Sequence, residues 1–151
     1  MIIENALKKD LADILDLQKE AFTEEAKIYN DYDIPPLKET KDMIEKDFRE
    51  KTFLISREND KITGCVRAKM VGKTCYIGRL CVLSSFQNRG FGSILMREIE
   101  ARFKAERYEL FTGEKSVKNI YLYKKLGYRI FKTKKESDNV NFVFMEKISD
   151  K

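Results

Sequence analysis

Two glycines, at positions 90 and 92, stand between an apolar run that ends at Leu83 and a helical pattern that begins near Phe91. Glycine lets the backbone approach a ligand closely, and the first turn of a helix offers unpaired N–H groups and a positive dipole end. Such a turn is suited to binding a phosphate or another anion. The segment comprises Gln87, Asn88, Arg89, Gly90, Phe91, Gly92 and Ser93.

Glycine-containing turns between a strand and a helix also occur where no ligand binds. Two well-known phosphate motifs do not fit this chain. A dinucleotide-binding fingerprint requires a third glycine at position 95, which is Leu95, and a P-loop ending in Gly72-Lys73-Thr74 requires a glycine at position 67, which is Arg67. The segment therefore indicates an anion site without fixing the ligand.

The composition limits the chemistry that other residues can perform. The chain has no His, which excludes His-based catalytic triads and zinc or copper sites that need His ligands. Its three cysteines (Cys65, Cys75 and Cys81) have no paired spacing, which favours reduced thiols in the cytoplasm and predicts no metal site. Any acid or base must be a Tyr, Cys, Lys, Asp or Glu side chain.

Hydrophobic periodicity predicts the elements that position these residues. The expected order is βααβββαβαββ, an α/β fold with a mixed, mostly antiparallel sheet of about seven strands flanked by four helices. Pro35 and Pro36 make residues 23–36 a loop or a broken helix. Strands are predicted over 2–5, 52–57, 61–71, 75–83, 108–112, 128–133 and 140–148, and helices over 7–22, 40–50, 90–107 and 116–126.

Length and composition favour a single domain over residues 1–151. The chain is 42% hydrophobic, which is enough for one core, and it contains no internal repeat or long linker. No run approaches the roughly 20 apolar residues of a membrane span, and charged residues begin at once at the N-terminus. We therefore expect neither membrane insertion nor secretion. The 30 basic and 25 acidic residues leave a net charge of +5.

Two segments of this chain resemble the GNAT (GCN5-related N-acetyltransferase) family. The run Gln87 to Gly92, which follows Leu80-Cys81-Val82, is similar to the Q/R-x-x-G-x-G/A acetyl-CoA motif of that family. The run Ser116 to Tyr128 is similar to a later helix of the family, which ends in a Tyr-x-x-x-Gly-Phe/Tyr pattern that begins here at Tyr123. The order of elements also agrees over nearly the whole chain.

The resemblance implies an N-acetyltransferase in which an amine attacks the thioester of acetyl-CoA directly. The pantetheine arm would pair with the backbone of Leu80, Cys81 and Val82, and the pyrophosphate would meet residues 87–93. Tyr123 would be the general acid for the leaving thiolate, since a phenol is protonated at neutral pH. Many members have Asn where this chain has Ser116, so the resemblance implies a cofactor contact from either Ser116 or Asn119.

An acidic stretch indicates where an acceptor could bind. Residues 16–33 carry six acidic and two basic side chains, and in relatives this helix and loop line the acceptor side. We therefore expect a cationic amine, either a small molecule or a peptide, although a solvated acidic face is the alternative. The tentative acceptor contacts are Glu24, Glu25, Tyr29, Tyr32, Asp33 and, beside the fifth strand, Glu114.

A basic stretch gives a second functional hypothesis. Between Lys115 and Lys135 the chain has eight basic residues and no acidic one, a pattern that could bind nucleic acid or remain a solvated face. No RNA-binding signature accompanies it. A non-catalytic module that binds CoA or nucleic acid is thus the alternative to an enzyme. The family resemblance also implies a homodimer formed through the C-terminal strands.

Overall fold

Seven strands form one mixed sheet in the computed structural model, which describes residues 1–149. The spatial order is β1-β2-β3-β4-β5-β7-β6, and every neighbouring pair is antiparallel except β4 and β5. This arrangement confirms the predicted fold class. The strands are β1 Ile2–Asn5, β2 Thr52–Glu58, β3 Lys61–Val71, β4 Thr74–Val82, β5 Arg107–Gly113, β6 Arg129–Lys135 and β7 Asn141–Ile148.

Five α-helices accompany the sheet within residues 1–149, whereas the sequence predicted four. They are α1 Leu11–Tyr29, α2 Pro35–Lys38, α3 Lys41–Glu50, α4 Phe91–Ala101 and α5 Val117–Lys125. The extra helix, α2, begins at Pro35 because proline is favoured in the first turn, where its missing N–H costs no helical hydrogen bond. None of the helices within residues 1–149 combines the length and hydropathy of a membrane-spanning helix.

Three helix ends differ from the predicted bounds by more than one residue. Helix α1 begins at Leu11 instead of residue 7, after a 3-10 turn over Lys8–Asp10. It continues past residue 22 to Tyr29 because Ala26 and Tyr29 prolong its buried face, and Asn30 follows in the left-handed conformation (φ 49°). Helix α4 ends at Ala101, earlier than predicted. The Tyr108 hydroxyl of β5 donates to the carbonyls of Glu100 and Phe103, which satisfies acceptors at that end.

Helices cover both faces of the sheet. Helices α4 and α5 pack on one face around Leu95, Met96 and Ile99, and α1 and α3 pack on the other around Ile14 and Ile44. All five of these side chains are buried. Residues that alternate along β3 and β4 therefore point to two different cores, and each strand supplies side chains to both.

Strands β4 and β5 pair over only a short stretch. Their parallel register joins Thr74–Tyr76 to Arg107–Glu109 and then stops. Beyond that point β4 continues to Val82 beside β3 alone, and β5 continues to Gly113 beside β7 alone. The sheet thus opens into a wedge at its centre, and the wedge positions the site described next.

Candidate active site

The wedge between β4 and β5 leads into a cleft of about 860 Å³. Its walls come from α1, α2 and α3, from both splayed strands, from α5 and from β7. The predicted residues that line it are Glu25, Tyr29, Leu80, Ser116, Asn119 and Tyr123. Residues from opposite ends of the chain, including the second predicted motif, therefore meet at one cavity.

Tyr123 lies on the buried side of α5 and lines this cleft. Burial raises the pKa of its phenol, and the nearby carboxylate of Glu25 raises it further. Within residues 1–149 its hydroxyl makes no hydrogen bond of its own. Tyr123 is therefore a protonated phenol with its donor unused, which is the state that a general acid requires.

A hydrogen-bonded chain links α1 to the start of α5. The hydroxyls of Tyr29 and Ser116 lie 2.7 Å apart, and the Tyr29 oxygen accepts the backbone N–H of Lys115 at 2.9 Å. Ser116 donates to the Glu25 carboxylate at 3.1 Å, and Asn119 donates to it at 2.8 Å. Both predicted cofactor contacts, Ser116 and Asn119, thus hold Glu25 in this structure.

Burial also raises the pKa of Glu25, although the hydrogen bonds from Ser116 and Asn119 partly offset this effect. The result is a carboxylate in the cleft that holds a proton more readily than an exposed glutamate. Such a group is a better base near neutral pH than an ordinary carboxylate, because base strength rises with pKa.

Gly113 is a site residue that the sequence analysis missed. A Cβ at this position would overlap the Tyr29 side chain, so only glycine lets Tyr29 pack against the end of β5. The signal was a single glycine at the end of a predicted strand, a few residues before a predicted helix. That signal alone could not reveal which side chain needed the space.

The glycine segment forms the turn from β4 into α4. Gly90 has a left-handed backbone (φ 81°), and in the described part of the chain the N–H groups of residues 88–93 have no hydrogen-bond acceptor. The Gln87 side chain donates to the Val82 carbonyl at 3.0 Å, which ties the turn to the end of β4. These unpaired donors fit an anion at the start of α4.

Comparison with known sequences decides the family. The chain matches the sequence model of the Acetyltransferase (GNAT) family over residues 11–128. It belongs to the GNAT family. The protein YyaT of Bacillus subtilis (strain 168) is 28% identical over 95 residues, which cover 63% of this chain. The match spans only 64% of that curated relative's length.

Solved structures share the GNAT fold with this chain. The structure of smu.2055 from Streptococcus mutans UA159 has a TM-score of 0.83 at 19% identity and covers 98% of this chain and 99% of its own. A GNAT family acetyltransferase from Elizabethkingia anophelis with acetyl-CoA bound has a TM-score of 0.64 at 21% identity. It covers 73% of this chain and 84% of its own. At these identities the likeness concerns the fold.

The segment Leu80-Cys81-Val82 of this GNAT protein offers its backbone to the wedge. Leu80 lines the cleft, whereas the Cys81 side chain points away into the core beneath α1. Burial raises the pKa of the Cys81 thiol well above its ordinary value. Cys65 on β3 pairs with Cys81 in the sheet, and burial raises the pKa of its thiol to about 12. These thiols are therefore poor nucleophiles.

Four of the tentative acceptor residues lie outside the lining of the GNAT cleft. Glu24 lies on the solvent side of α1 and pairs there with Lys27. Tyr32 and Asp33 follow the end of α1 and are exposed, and Glu114 is exposed while its backbone N–H bonds to Asn141. Of the predicted acceptor residues, only Glu25 and Tyr29 line the cleft. Both lie on the same side of α1, because that helix continues to Tyr29.

A buried ionic cluster on the α1–α3 side of the cleft was not predicted from the sequence. Arg67 of β3 is 1% exposed and binds Glu39 at 3.0 and 3.2 Å, Asp47 at 2.9 Å and Gln18 at 2.8 Å. Hydrogen bonds from Arg67 lower the pKa of Glu39 and Asp47 although burial alone would raise it. The cluster fixes α2 and α3, and hence one wall of the cleft, to the sheet.

Proposed function

We propose that this GNAT protein transfers the acetyl group of acetyl-CoA to an amine acceptor. The wedge between β4 and β5 carries the proposal, because it brings an open sheet edge, a protonated Tyr123 and the half-buried carboxylate of Glu25 to one cleft. The solved relative with acetyl-CoA bound and the family match support the same activity.

The chain's own groups fit the two halves of the CoA molecule. The unpaired N–H groups of residues 88–93 would hold the pyrophosphate, with Gly90 and Gly92 keeping the backbone accessible. The unpaired backbone edge at Leu80, Cys81 and Val82 would pair with the pantetheine arm as a strand does. Ser116 and Asn119 stand beside the cleft as the further candidate contacts.

The acetyl thioester supplies the group to be transferred, and the amine nitrogen attacks it directly. A C–N bond forms, the C–S bond breaks, and the departing thiolate needs a proton. Tyr123 would donate that proton from its unused hydroxyl, because it lines the cleft and is protonated at neutral pH. The proton that the nitrogen loses as it becomes an amide would then restore the phenol through solvent. Positioning both reactants in one wedge would supply much of the remaining acceleration.

An amine that is protonated in solution must lose a proton before it attacks. Glu25 is our candidate for holding this ammonium group and taking its proton, because it is a carboxylate in the cleft with a raised pKa. The proton would pass from the amine nitrogen to a Glu25 oxygen and then to solvent. Ser116 and Asn119 would orient the carboxylate for this role.

Calorimetric titration with acetyl-CoA tests the proposal, with short RNA and DNA duplexes run in parallel at physiological salt. We expect saturable binding of acetyl-CoA, followed by thiol release when amines are screened as acceptors. All eight basic residues of the 115–135 stretch are exposed on and around α5 and β6. Binding of nucleic acid without binding of acetyl-CoA would overturn the enzyme and make that basic surface the functional one.

A further inference from the structure

The two arginines of the buried cluster have unequal partners. Arg67 shares Glu39 with Gln18, so both oxygens of the Glu39 carboxylate already accept short hydrogen bonds. Arg79 of β4 reaches one of those oxygens at 3.4 Å, and within residues 1–149 this is its only side-chain hydrogen bond. A guanidinium has five N–H donors, so most of those on Arg79 are unused.

Arg79 nevertheless lies in the cleft wall and is half-buried, with 25% of its side chain exposed. A charge that is partly removed from water and lacks a full partner is destabilising. Burial lowers the pKa of Arg79, which indicates that Glu39 compensates only part of the desolvation. The cleft therefore holds a cationic group that a further anion would complete.

The backbone at Arg79 is also strained. Its φ of 54° lies in the left-handed region, which glycine adopts easily and arginine rarely does. A register shift accompanies it, because Gly78 pairs with Arg67 whereas Cys81 pairs with Cys65. Such bulges redirect a side chain and are common beside active sites, where the fold maintains strain for function. Here the bulge turns the Arg79 side chain towards the cleft.

We propose that Arg79 binds an anionic group of the acceptor, so that the preferred substrates are amines that also carry a carboxylate or a phosphate. This inference rests on the proposed function and names the substrate class of the same site. The amine would lie near Glu25, and the anion would form charge-assisted hydrogen bonds with the Arg79 guanidinium. It adds an anionic group to the expected cationic amine, because most of the acidic side chains behind that expectation lie outside the cleft.

Matched pairs of acceptors test the proposal through kcat/KM. Two pairs differ by a carboxylate: 6-aminohexanoate with hexylamine, and phenylalanine with phenethylamine. The third pair, phosphoethanolamine with ethanolamine, differs by a phosphate. We expect the wild-type protein to prefer the anionic member of at least one pair by tenfold or more. Arg79→Gln should abolish that preference by raising KM for the anionic member, while KM for acetyl-CoA stays within twofold.

Lys46→Gln is the matched control, because Lys46 also lines the cleft but is exposed on α3. It removes the same charge and should keep the preference. Arg79→Gly removes the guanidinium while relieving the left-handed strain. It should therefore lose the preference with a melting temperature no lower than that of Arg79→Gln. Absence of any anionic preference in the wild type, or a preference that survives in both Arg79 variants, overturns the proposal.

Binding measurements distinguish a failure of the Arg79 proposal from a failure of the proposed acetyltransferase function. If the wild-type protein fails to bind acetyl-CoA, the acetyltransferase proposal fails. Titration of 6-aminohexanoate and of phosphoethanolamine into the CoA-free protein still tests Arg79. We expect binding that weakens at least tenfold in Arg79→Gln and not in Lys46→Gln. Binding that is absent, or equal in wild type and Arg79→Gln, overturns the role of Arg79.

Discussion

The start of α4 and the α1–α3 side of the cleft present charge by different physical means. At the start of α4, the backbone N–H groups of residues 88–93 have no acceptor within residues 1–149, and no side chain of that part of the chain caps the helix. On the α1–α3 side, buried side chains from separate elements hold one another, with Arg67 at their centre. A backbone site tolerates changes of side chain, so it can bind the same ligand in proteins of different sequence. A side-chain cluster is sensitive to each substitution and is suited to defining a particular acceptor.

The largest effect should come from Tyr123, which lines the cleft. Removing its hydroxyl in Tyr123→Phe should lower kcat about 10² to 10⁴ fold, the usual contribution of a general acid. Affinity for acetyl-CoA, measured by calorimetry, should stay within about twofold. Tyr121→Phe is the control, because Tyr121 is 66% exposed on the same helix. Unchanged turnover in Tyr123→Phe would remove Tyr123 from the mechanism.

The buried cluster should dominate stability. Arg67→Ala leaves the buried Glu39 and the half-buried Asp47 without their shared cation, so the free energy of unfolding should fall by about 3–5 kcal/mol in urea denaturation. Lys51→Ala removes the more exposed partner of Asp47 and should cost less than about 1 kcal/mol. Equal effects of the two variants would show that burial of Arg67 is not what stabilises this wall.

Substitutions at two glycines compare the N–H groups at the start of α4 with an ordinary turn. Gly90 (φ 81°) starts α4 and Gly72 (φ 61°) connects β3 to β4, and a Cβ at either would meet open space. Each change to Ala should therefore cost about 1–2 kcal/mol of stability through backbone strain alone. Only Gly90→Ala should also weaken acetyl-CoA binding, by about tenfold or 1.4 kcal/mol. Equal acetyl-CoA affinity in both variants would argue against a site at α4.

The smallest effect should be a dependence of stability on acid pH. The pKa values of Glu39 and Asp47 are lowered in the folded protein, so the folded state binds fewer protons than the unfolded one as the pH falls. The stabilisation is complete above the ordinary carboxylate pKa and is lost as the pH drops through the lowered values. Urea denaturation between pH 3 and 7 should show this loss, and Glu39→Gln should reduce it. An unchanged slope in Glu39→Gln would contradict the assignment.

The sequence predicted those parts of the site that depend on neighbouring residues. The turn at Gly90 and the helix that carries Tyr123 could be predicted, because a glycine turn and helical periodicity each involve only a few neighbouring positions. The length of α1 could not be predicted, because most residues after 22 are polar and the helix is extended by the packing of Ala26 and Tyr29. The cluster around Arg67 joins residues up to 49 positions apart in the chain. No local pattern encodes such a contact.

The short register between β4 and β5 has a thermodynamic consequence. Three residue pairs hold the two halves of the sheet together, and the ladder has a gap beyond them. A molecule lying in that gap would act as a missing strand, so it would slow amide hydrogen exchange along both edges at once. Binding to the folded state alone also raises the melting temperature in proportion to the logarithm of ligand concentration. A cosubstrate bound in this gap would therefore also complete the sheet.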